Sequence, residues 1–206
     1  MTRTILSLEV KELLRGKYSH QPWGGAGRAY PDPEALIFAI VDPVHKLAAR
    51  VMLESGTRGE GVGFARSQLS KMRLRKDNLK GIVEDPYFSD GRLVGVISTT
   101  EKGGYTCPHY LSVTTYLHLE EFLNQYGQLG GHYDDFRQSV EQAAKSTGQF
   151  VKGRALHGLK HNFAQSFYVE AVCAGKSPES AQIETSRRCS HRRGDVYRTY
   201  YSGRRR

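Results

Sequence analysis

The sequence predicts an α+β fold that is mainly α-helical and contains a small three-stranded antiparallel sheet. Three β-rich runs, LKGIV, RLVGVIST and YTCPHYLSV, lie within residues 79–113 and are separated by the turn sequences SDG and EKGG. Such short strands with turn residues between them are typical of a meander. Apolar residues at helical spacing precede and follow this region, so the sheet is expected to sit among helices.

Two helix starts are marked by Asp32-Pro33-Glu34 and by Asp42-Pro43. Aspartate can cap the first free N–H groups of a helix, and proline fits its first turn. The second helix is expected to end at Gly56, because glycine is common just past a helix C-terminus. Further helices are predicted near residues 114–127, 132–146, 156–174 and 178–188, and a final helix carries the C-terminal tyrosines.

The chain of 206 residues, 38% of them hydrophobic, is long enough for one ordinary core. Residues 19–33, SHQPWGGAGRAYPDP, indicate a linker because they are rich in Gly and Pro. We therefore predict an N-terminal segment and linker over residues 1–32 and one folded domain over residues 33–206. No apolar run approaches the roughly 20 residues of a membrane span, and no signal peptide is evident, so we expect a cytoplasmic protein without a membrane partner.

Positive charge is concentrated near the C-terminus. Residues 150–206 hold 12 Lys and Arg against 4 Asp and Glu, which accounts for +8 of the formal net charge of +9. A charged run is often no more than a solvated surface. Here the cations are interleaved with histidines and tyrosines, a composition that suits a surface for polyphosphate. The sequence therefore predicts nucleic acid as the partner.

A metal site is the first function to consider for the segment HGLKHNFAQSFY. His157 and His161 are four residues apart and would share a helix face, as in zinc proteases. The general base of those enzymes is missing, since Gly158 follows the first histidine, and Lys160 would place a cation beside the metal. The three cysteines are widely spaced without a C-x-x-C pair. We therefore expect no metal and no cofactor.

A phosphate site explains the same residues better. His157, Lys160 and His191 supply donors and a proton acceptor for a phosphodiester, and a tyrosine cluster follows His191. The order of histidine, cation, histidine and tyrosine resembles the C-terminal signature of the tyrosine recombinases, or phage-integrase family. In that signature H-x-L-R-H precedes a G-H motif and the nucleophilic tyrosine. The resemblance implies a tyrosine-recombinase-like catalytic domain over residues 33–206.

Two further family positions have counterparts upstream. LESGTRGEG offers Arg58 for the first catalytic arginine, and TTEKGGYTC offers Lys102 for the lysine of a β-hairpin turn. Three departures accompany them. Gly61 stands where the family usually has an acidic residue, Ser190 replaces the glycine of the G-H motif, and Lys160 replaces the second arginine, which removes a bidentate phosphate contact. Only about thirty residues precede the body, where the family usually has a separate DNA-clasping domain.

The resemblance implies a nucleophile nine positions after His191, at Tyr200, with Tyr197 and Tyr201 as alternatives. The implied function is that of a site-specific DNA recombinase or integrase that forms a 3′-phosphotyrosyl bond without metal or ATP. Arg58 and Lys160 would hold the scissile phosphate, and His191 would add a hydrogen bond. His157 would take the tyrosine proton, and Lys102 would protonate the leaving oxygen.

The expected partners are double-stranded DNA and further copies of the chain, because recombinases of this family assemble as dimers or tetramers on DNA. The residues predicted to contact DNA are Arg187, Arg188, Arg192, Arg193 and Arg198. Two alternatives remain at this point: a non-catalytic DNA-binding relative of the recombinases, and a tyrosine-type topoisomerase that links to the 3′ end of DNA.

Overall fold

The computed structural model describes residues 28–67, 73–101 and 105–191. Within these residues there are six α-helices: α1 (Pro33–Ala39), α2 (Pro43–Ser55), α3 (Val113–Tyr126), α4 (Tyr133–Ser146), α5 (Ala155–Cys173) and α6 (Pro178–Arg188). The strands are β1 (Phe64–Ala65), β2 (Leu74–Arg75), β3 (Leu79–Glu84), β4 (Leu93–Glu101), β5 (Tyr105–Ser112), β6 (Gln128–Leu129) and β7 (Gly131–His132). This architecture confirms the predicted fold class. None of the described helices is long and apolar enough to cross a bilayer.

The main sheet has the strand order β3-β4-β5, and both of its pairings are antiparallel, which confirms the predicted meander. In β5 the side chains of Cys107, His109 and Leu111 are buried and alternate with more exposed neighbours. This alternation is expected for a strand with one face on the core. The residues that join β4 to β5, 102–104, lie outside the described part of the chain.

Two very short strand pairs complete the described β-structure. β1 pairs with β7 in parallel, and β2 pairs with β6 in antiparallel orientation. The sequence did not predict these pairs, because two residues are too few to show a periodicity of two. They tie the segment after α2 to the connection between α3 and α4, and so hold the loop that follows Arg58 close to the body.

Local chemistry sets the beginnings of the first two helices as predicted. Asp32 accepts a hydrogen bond from the backbone N–H of Ala35, and Asp42 accepts from those of Val44 and His45. A proline occupies the first turn of each helix, where no N–H partner is needed. Gly56 ends α2 in a left-handed conformation, as the sequence predicts.

Helix α5 runs through the interior of the domain and contacts α2, α4 and α6. Its first turns pack Leu156 and Leu159 into the main core, while Phe163 and Phe167 belong to a second cluster beneath α6. Because the helix is covered on several sides, its polar residues must find partners inside the protein. Lys160 on this helix, for example, bonds to the carbonyl oxygen of Cys189.

The folded body begins before residue 33, where the domain boundary was predicted. Tyr30 is only 3% exposed and is part of the main core. Its N–H donates to the side-chain oxygen of Asn162, whose amide donates to the Tyr30 carbonyl. The predicted linker over residues 19–33 therefore ends in a segment that is fastened to α5.

Gly56→Ala is expected to destabilise the fold strongly. Gly56 has φ of +69°, and a Cβ at this position would overlap the ring of Phe163 on α5. Left-handed strain of about 1–2 kcal/mol would add to overpacking of about 1–3 kcal/mol. Urea unfolding should therefore show a loss of about 2–5 kcal/mol in the free energy of unfolding.

Gly148→Ala is the matched control for this substitution. Gly148 has nearly the same φ, +68°, and no described atom lies within 4 Å of its Cβ position. It should lose only the backbone contribution of about 1–2 kcal/mol. Equal losses in the two variants would contradict a close approach between α2 and α5 at Gly56.

Candidate active site

The candidate site begins at the N-terminal turns of α5, which carry His157, Lys160 and His161. Tyr30 holds these turns in place, because its hydroxyl donates to the carbonyl of Ala155 at 2.9 Å. The aromatic ring lies against Gly158, where a Cβ would come within 2.6 Å of it. Gly158, which stands where a zinc protease has its general base, thus allows Tyr30 to pack next to the candidate catalytic residue His157.

Lys160 is completely buried, with an exposed fraction of 0%. Its Nζ donates to the carbonyl oxygen of Cys189 at 2.8 Å, in the turn that follows α6. The sequence prediction placed this ammonium on the scissile phosphate. In the structure the ammonium supports the backbone just before His191, so α5 and the His191 turn are directly connected.

His191 is positioned by the way in which α6 ends. The N–H of Ser190 donates to the Arg187 carbonyl, and the N–H of His191 donates to the Ser186 carbonyl, both at 2.9 Å. These two bonds form a Schellman motif, which requires a left-handed residue after the helix. Ser190 has φ of +62°. The departure from the family's glycine at this position therefore places a side chain in a conformation that glycine adopts more easily.

Arg58 follows the left-handed end of α2 and is half-buried. Its carbonyl accepts from the N–H of Val62 at 3.2 Å, which closes the turn that follows. The hydroxyl of Ser55, in the last residue of α2, accepts from the N–H of Thr57 at 3.3 Å. A Cβ on the next residue, Gly59, would lie 3.0 Å from Cδ1 of Leu156, so the fold brings the turn after α2 close to the start of α5.

The surroundings of His157 favour its neutral form. Its side chain is exposed, but nearby protein removes part of its hydration and the cations Lys160, Arg58 and Arg28 repel a proton. These causes, of which the loss of hydration is the largest, lower the pKa of His157 from 6.5 to about 4. At neutral pH the ring is therefore able to accept a proton.

An NMR pH titration of the DNA-free chain should give His157 a pKa of about 4. Between the unfolded value of about 6.5 and this value, the unfolded chain binds a proton that the folded chain does not. This group should therefore leave the free energy of unfolding unchanged above about pH 6.5, and should lower it as the pH falls from about 6.5 to about 4. In Arg58→Gln one repelling charge is lost, so the pKa of His157 should rise.

Arg92→Gln serves as the control for this titration. Arg92 is also a cation, but it pairs with Asp90 and Glu170 and is not among the charges that act on His157. The pKa of His157 should be the same in this variant as in the wild type. A rise of equal size in both variants would show that Arg58 does not face His157.

His109 is a site residue that the sequence analysis missed. It is 1% exposed, and its ring lies between the end of α2 and the turn after α6. Nδ1 is 3.1 Å from the Ser55 carbonyl oxygen, and Nε2 is 3.1 Å from Oγ of Ser190. The available signal was a polar ring on the inward face of β5, between Cys107 and Leu111.

Arg188, one of the predicted DNA contacts, requires a correction because it is part of the core. Its side chain is 6% exposed, and its Nη1 lies 4.0 Å from the carboxylate of Asp85. Four aromatic rings surround the guanidinium at 4.6–5.5 Å: Tyr87, Tyr110, Phe163 and Phe167. The neighbouring Arg187 is exposed at the end of α6 and remains available for a phosphate.

Several predicted site residues fall outside the described part of the chain. They include the candidate nucleophile Tyr200 with its alternatives Tyr197 and Tyr201, and the hairpin lysine Lys102. Three of the predicted DNA contacts fall there as well: Arg192, Arg193 and Arg198. Among the described residues, no group of three or more His, Cys, Asp or Glu side chains is arranged to hold a metal ion. The rings of His157 and His161 lie edge to face, with centroids 5.1 Å apart.

Three solved structures that share this fold are recombinases. The XerH site-specific recombinase bound to its difH substrate matches 84% of this chain with a TM-score of 0.58 and 14% identity. The chain has the fold of a tyrosine recombinase catalytic domain. A λ integrase dimer bound to a COC′ core site matches 86% of the chain (TM-score 0.55, 11% identity), and XerA recombinase matches 100% of it (0.54, 13%).

The matches cover different shares of those proteins. The chain spans 49% of the XerH chain, 60% of the λ integrase chain and 72% of XerA. No model of a known protein family matches the sequence, and no curated protein sequence matches it either. The likeness is therefore one of fold, and the function depends on the chemistry of the residues in the site.

Proposed function

We propose that this chain is the catalytic part of a site-specific DNA recombinase or integrase that cleaves and rejoins DNA through a 3′-phosphotyrosyl intermediate. The observation that carries the proposal is the convergence of three segments distant in sequence. The turn of Arg58 packs through Gly59 against Leu156, next to His157, and Lys160 on the same helix bonds to the turn that ends at His191. The fold shared with XerH on difH and λ integrase on a core site supports DNA as the substrate.

The cations of the site would bind the scissile phosphate. Arg58 can place two N–H groups on its nonbridging oxygens, and His191 adds a further hydrogen bond. Lys160 contributes positive charge from beneath the His191 turn. The interactions of these groups with the phosphate strengthen as negative charge builds on it in the transition state. They therefore lower the activation barrier in addition to binding the substrate.

Two proton transfers complete the proposed reaction. The Tyr200 oxygen forms a bond to phosphorus while the bond from phosphorus to the 5′ oxygen breaks. Tyr200 gives its proton to neutral His157, and Lys102 gives a proton to the departing 5′ oxygen. The phosphotyrosyl bond conserves the energy of the phosphodiester, so a 5′-hydroxyl from another strand can reverse the step. Neither metal nor ATP enters this scheme.

The proposed partners are double-stranded DNA and further copies of the chain bound to it. Arg187, at the exposed end of α6, and Arg192, Arg193 and Arg198 would contact the phosphate backbone. Such contacts release counterions, so affinity should fall with salt with a slope of about −0.9 per neutralised phosphate. Exchange between two DNA sites requires that at least two protomers assemble on them.

The second candidate is a DNA-binding relative that does not cut. Its supporting observation is the buried ammonium of Lys160, which bonds to a backbone carbonyl and lacks the fork by which arginine grips two phosphate oxygens. Such a protein would use the same cationic face to hold DNA. The two candidates differ in one product, a covalent protein–DNA bond.

A suicide-substrate assay distinguishes the two candidates. The probe is a pool of randomised duplexes nicked so that the short 5′-hydroxyl fragment diffuses away after cleavage and traps the intermediate. We expect a protein–DNA band that survives denaturation, retains a label on the DNA upstream of the break, and forms with a metal chelator present. Salt-sensitive binding without any adduct would favour the non-catalytic candidate. If the chain forms the adduct and also relaxes a supercoiled plasmid, but never joins two DNA molecules, it acts as a topoisomerase.

A further inference from the structure

His109 connects the two turns that carry Arg58 and His191. Its ring is buried on β5 and contacts the carbonyl of Ser55, three residues before Arg58, and the hydroxyl of Ser190, immediately before His191. Both distances are 3.1 Å. A single side chain thus bridges two candidate phosphate-binding segments that are more than a hundred residues apart in sequence.

The partners of His109 determine where its hydrogen lies. The Ser55 carbonyl can only accept, so Nδ1 must carry the hydrogen and donate to it. In the neutral ring Nε2 then accepts, and the Ser190 hydroxyl is placed to donate to it. Sγ of Cys107 lies 3.4 Å both from Nε2 and from Oγ of Ser190, so this end of the bridge is enclosed by β5.

At its Ser190 end the bridge supports a strained backbone conformation. Ser190 occupies the left-handed region without being glycine, a conformation that costs about 1–2 kcal/mol, and its bond to His109 offsets part of that cost. At the other end, Ser55 is also bonded to Thr57 through its hydroxyl. A shift of the ring would therefore move the turns that aim Arg58 and His191.

We propose that His109 is a positioning residue that sets the distance between the Arg58 turn and the His191 turn through its Nδ1–H tautomer. The inference rests on the proposed function for its effect on cleavage, but the bridge itself can be measured without DNA. Asparagine places an amide near the Nδ1 position and glutamine places one near Nε2. The two substitutions should therefore retain opposite ends of the bridge.

The first experiment is NMR on the DNA-free chain with labelled histidines. The ring nitrogens of His109 should show a protonated Nδ1 and an unprotonated Nε2. In His109→Asn the backbone amide of Arg58 should keep its chemical shift while that of His191 moves, and in His109→Gln the opposite should hold. A protonated Nε2 with bare Nδ1, or equal shifts at both turns in both variants, would overturn the proposal. If either variant fails to fold, Ser190→Gly, which suits the left-handed backbone, should still perturb the His109 ring resonances.

The second experiment measures single-turnover adduct formation at saturating DNA. His109→Asn and His109→Gln should each lower the rate by about 10- to 100-fold with unchanged DNA affinity, because a misplaced catalytic group costs rate and not binding. His118→Asn, at an exposed histidine on α3, should match the wild type. Wild-type rates in both His109 variants would overturn the positioning role. Absence of any adduct from the wild type would overturn the proposed function instead, and the NMR result would still decide the bridge.

Discussion

Tyr200→Phe is expected to abolish the covalent protein–DNA adduct and to leave DNA affinity unchanged. The substitution removes one oxygen, so the cationic surface that binds phosphates stays intact while the nucleophile is lost. No other step of the proposed reaction can replace the bond from the tyrosine oxygen to phosphorus. Adduct formation on the nicked substrate, measured on a denaturing gel, and affinity, measured by fluorescence anisotropy, separate these two effects.

Tyr197→Phe and Tyr201→Phe are the matched controls, since each removes the same atom within a few residues. Both should form the adduct, because phenylalanine can still fill an aromatic packing site. If Tyr201→Phe alone is inactive, the spacing of nine residues from His191 is off by one and the reaction class stands. If all three variants form the adduct, tyrosine chemistry in this segment is excluded.

The parts of the fold that depend on local chemistry could be predicted from the sequence. Asp42-Pro43 begins α2 and Gly56 ends it, because capping and the left-handed conformation are properties of a few neighbouring residues. The three strands of the antiparallel sheet could also be predicted, because turn residues separate them. The pairing of β1 with β7 could not, because it depends on where α3 and α4 bring the chain, and two residues carry no periodicity of their own.

The burial of Arg188 and Lys160 was not predicted from the sequence. The run SRRCSHRR indicated a basic surface, yet Arg188 lies seven residues after the buried Ala181 and three after the buried Thr185, on the inner face of α6. Lys160 likewise lies four residues after Leu156 on the inner face of α5. Helical periodicity would have placed both side chains inside, but Lys160 was predicted on the scissile phosphate and Arg188 on DNA, because charged side chains are seldom fully buried.

The site was predictable where it matched a motif and not where it depended on tertiary contacts. His157 and His191 follow a linear pattern, and the bond from Lys160 to the Cys189 carbonyl connects their segments. His109 belongs to no motif, and its importance comes from two hydrogen bonds to distant turns. A polar ring at an inward position of a strand is the one clue that the sequence offers, because buried polar groups need partners.

Lys160→Met is expected to lower the single-turnover rate of adduct formation by about 100- to 1000-fold, because it removes a preorganised positive charge close to the phosphate on which negative charge builds. Methionine retains the length of the side chain but cannot donate to the Cys189 carbonyl. Desolvation of the buried ammonium offsets much of the strength of that bond, so the free energy of unfolding should change by less than about 2 kcal/mol. A large loss of rate in a folded protein would show that the charge acts in the reaction.

Two further variants complete this test. Lys160→Arg should keep or raise the rate, since a guanidinium supplies the fork that the lysine lacks. Lys176→Met removes the same charge from the C-terminal quarter of the chain, where Lys176 pairs with Glu184, and it should cleave like the wild type. If Lys160→Met remains folded and cleaves as fast as Lys176→Met, Lys160 only supports the turn before His191. The arginine position of the motif then has no catalytic counterpart in this chain, and the phosphate would be held by Arg58 and His191 alone.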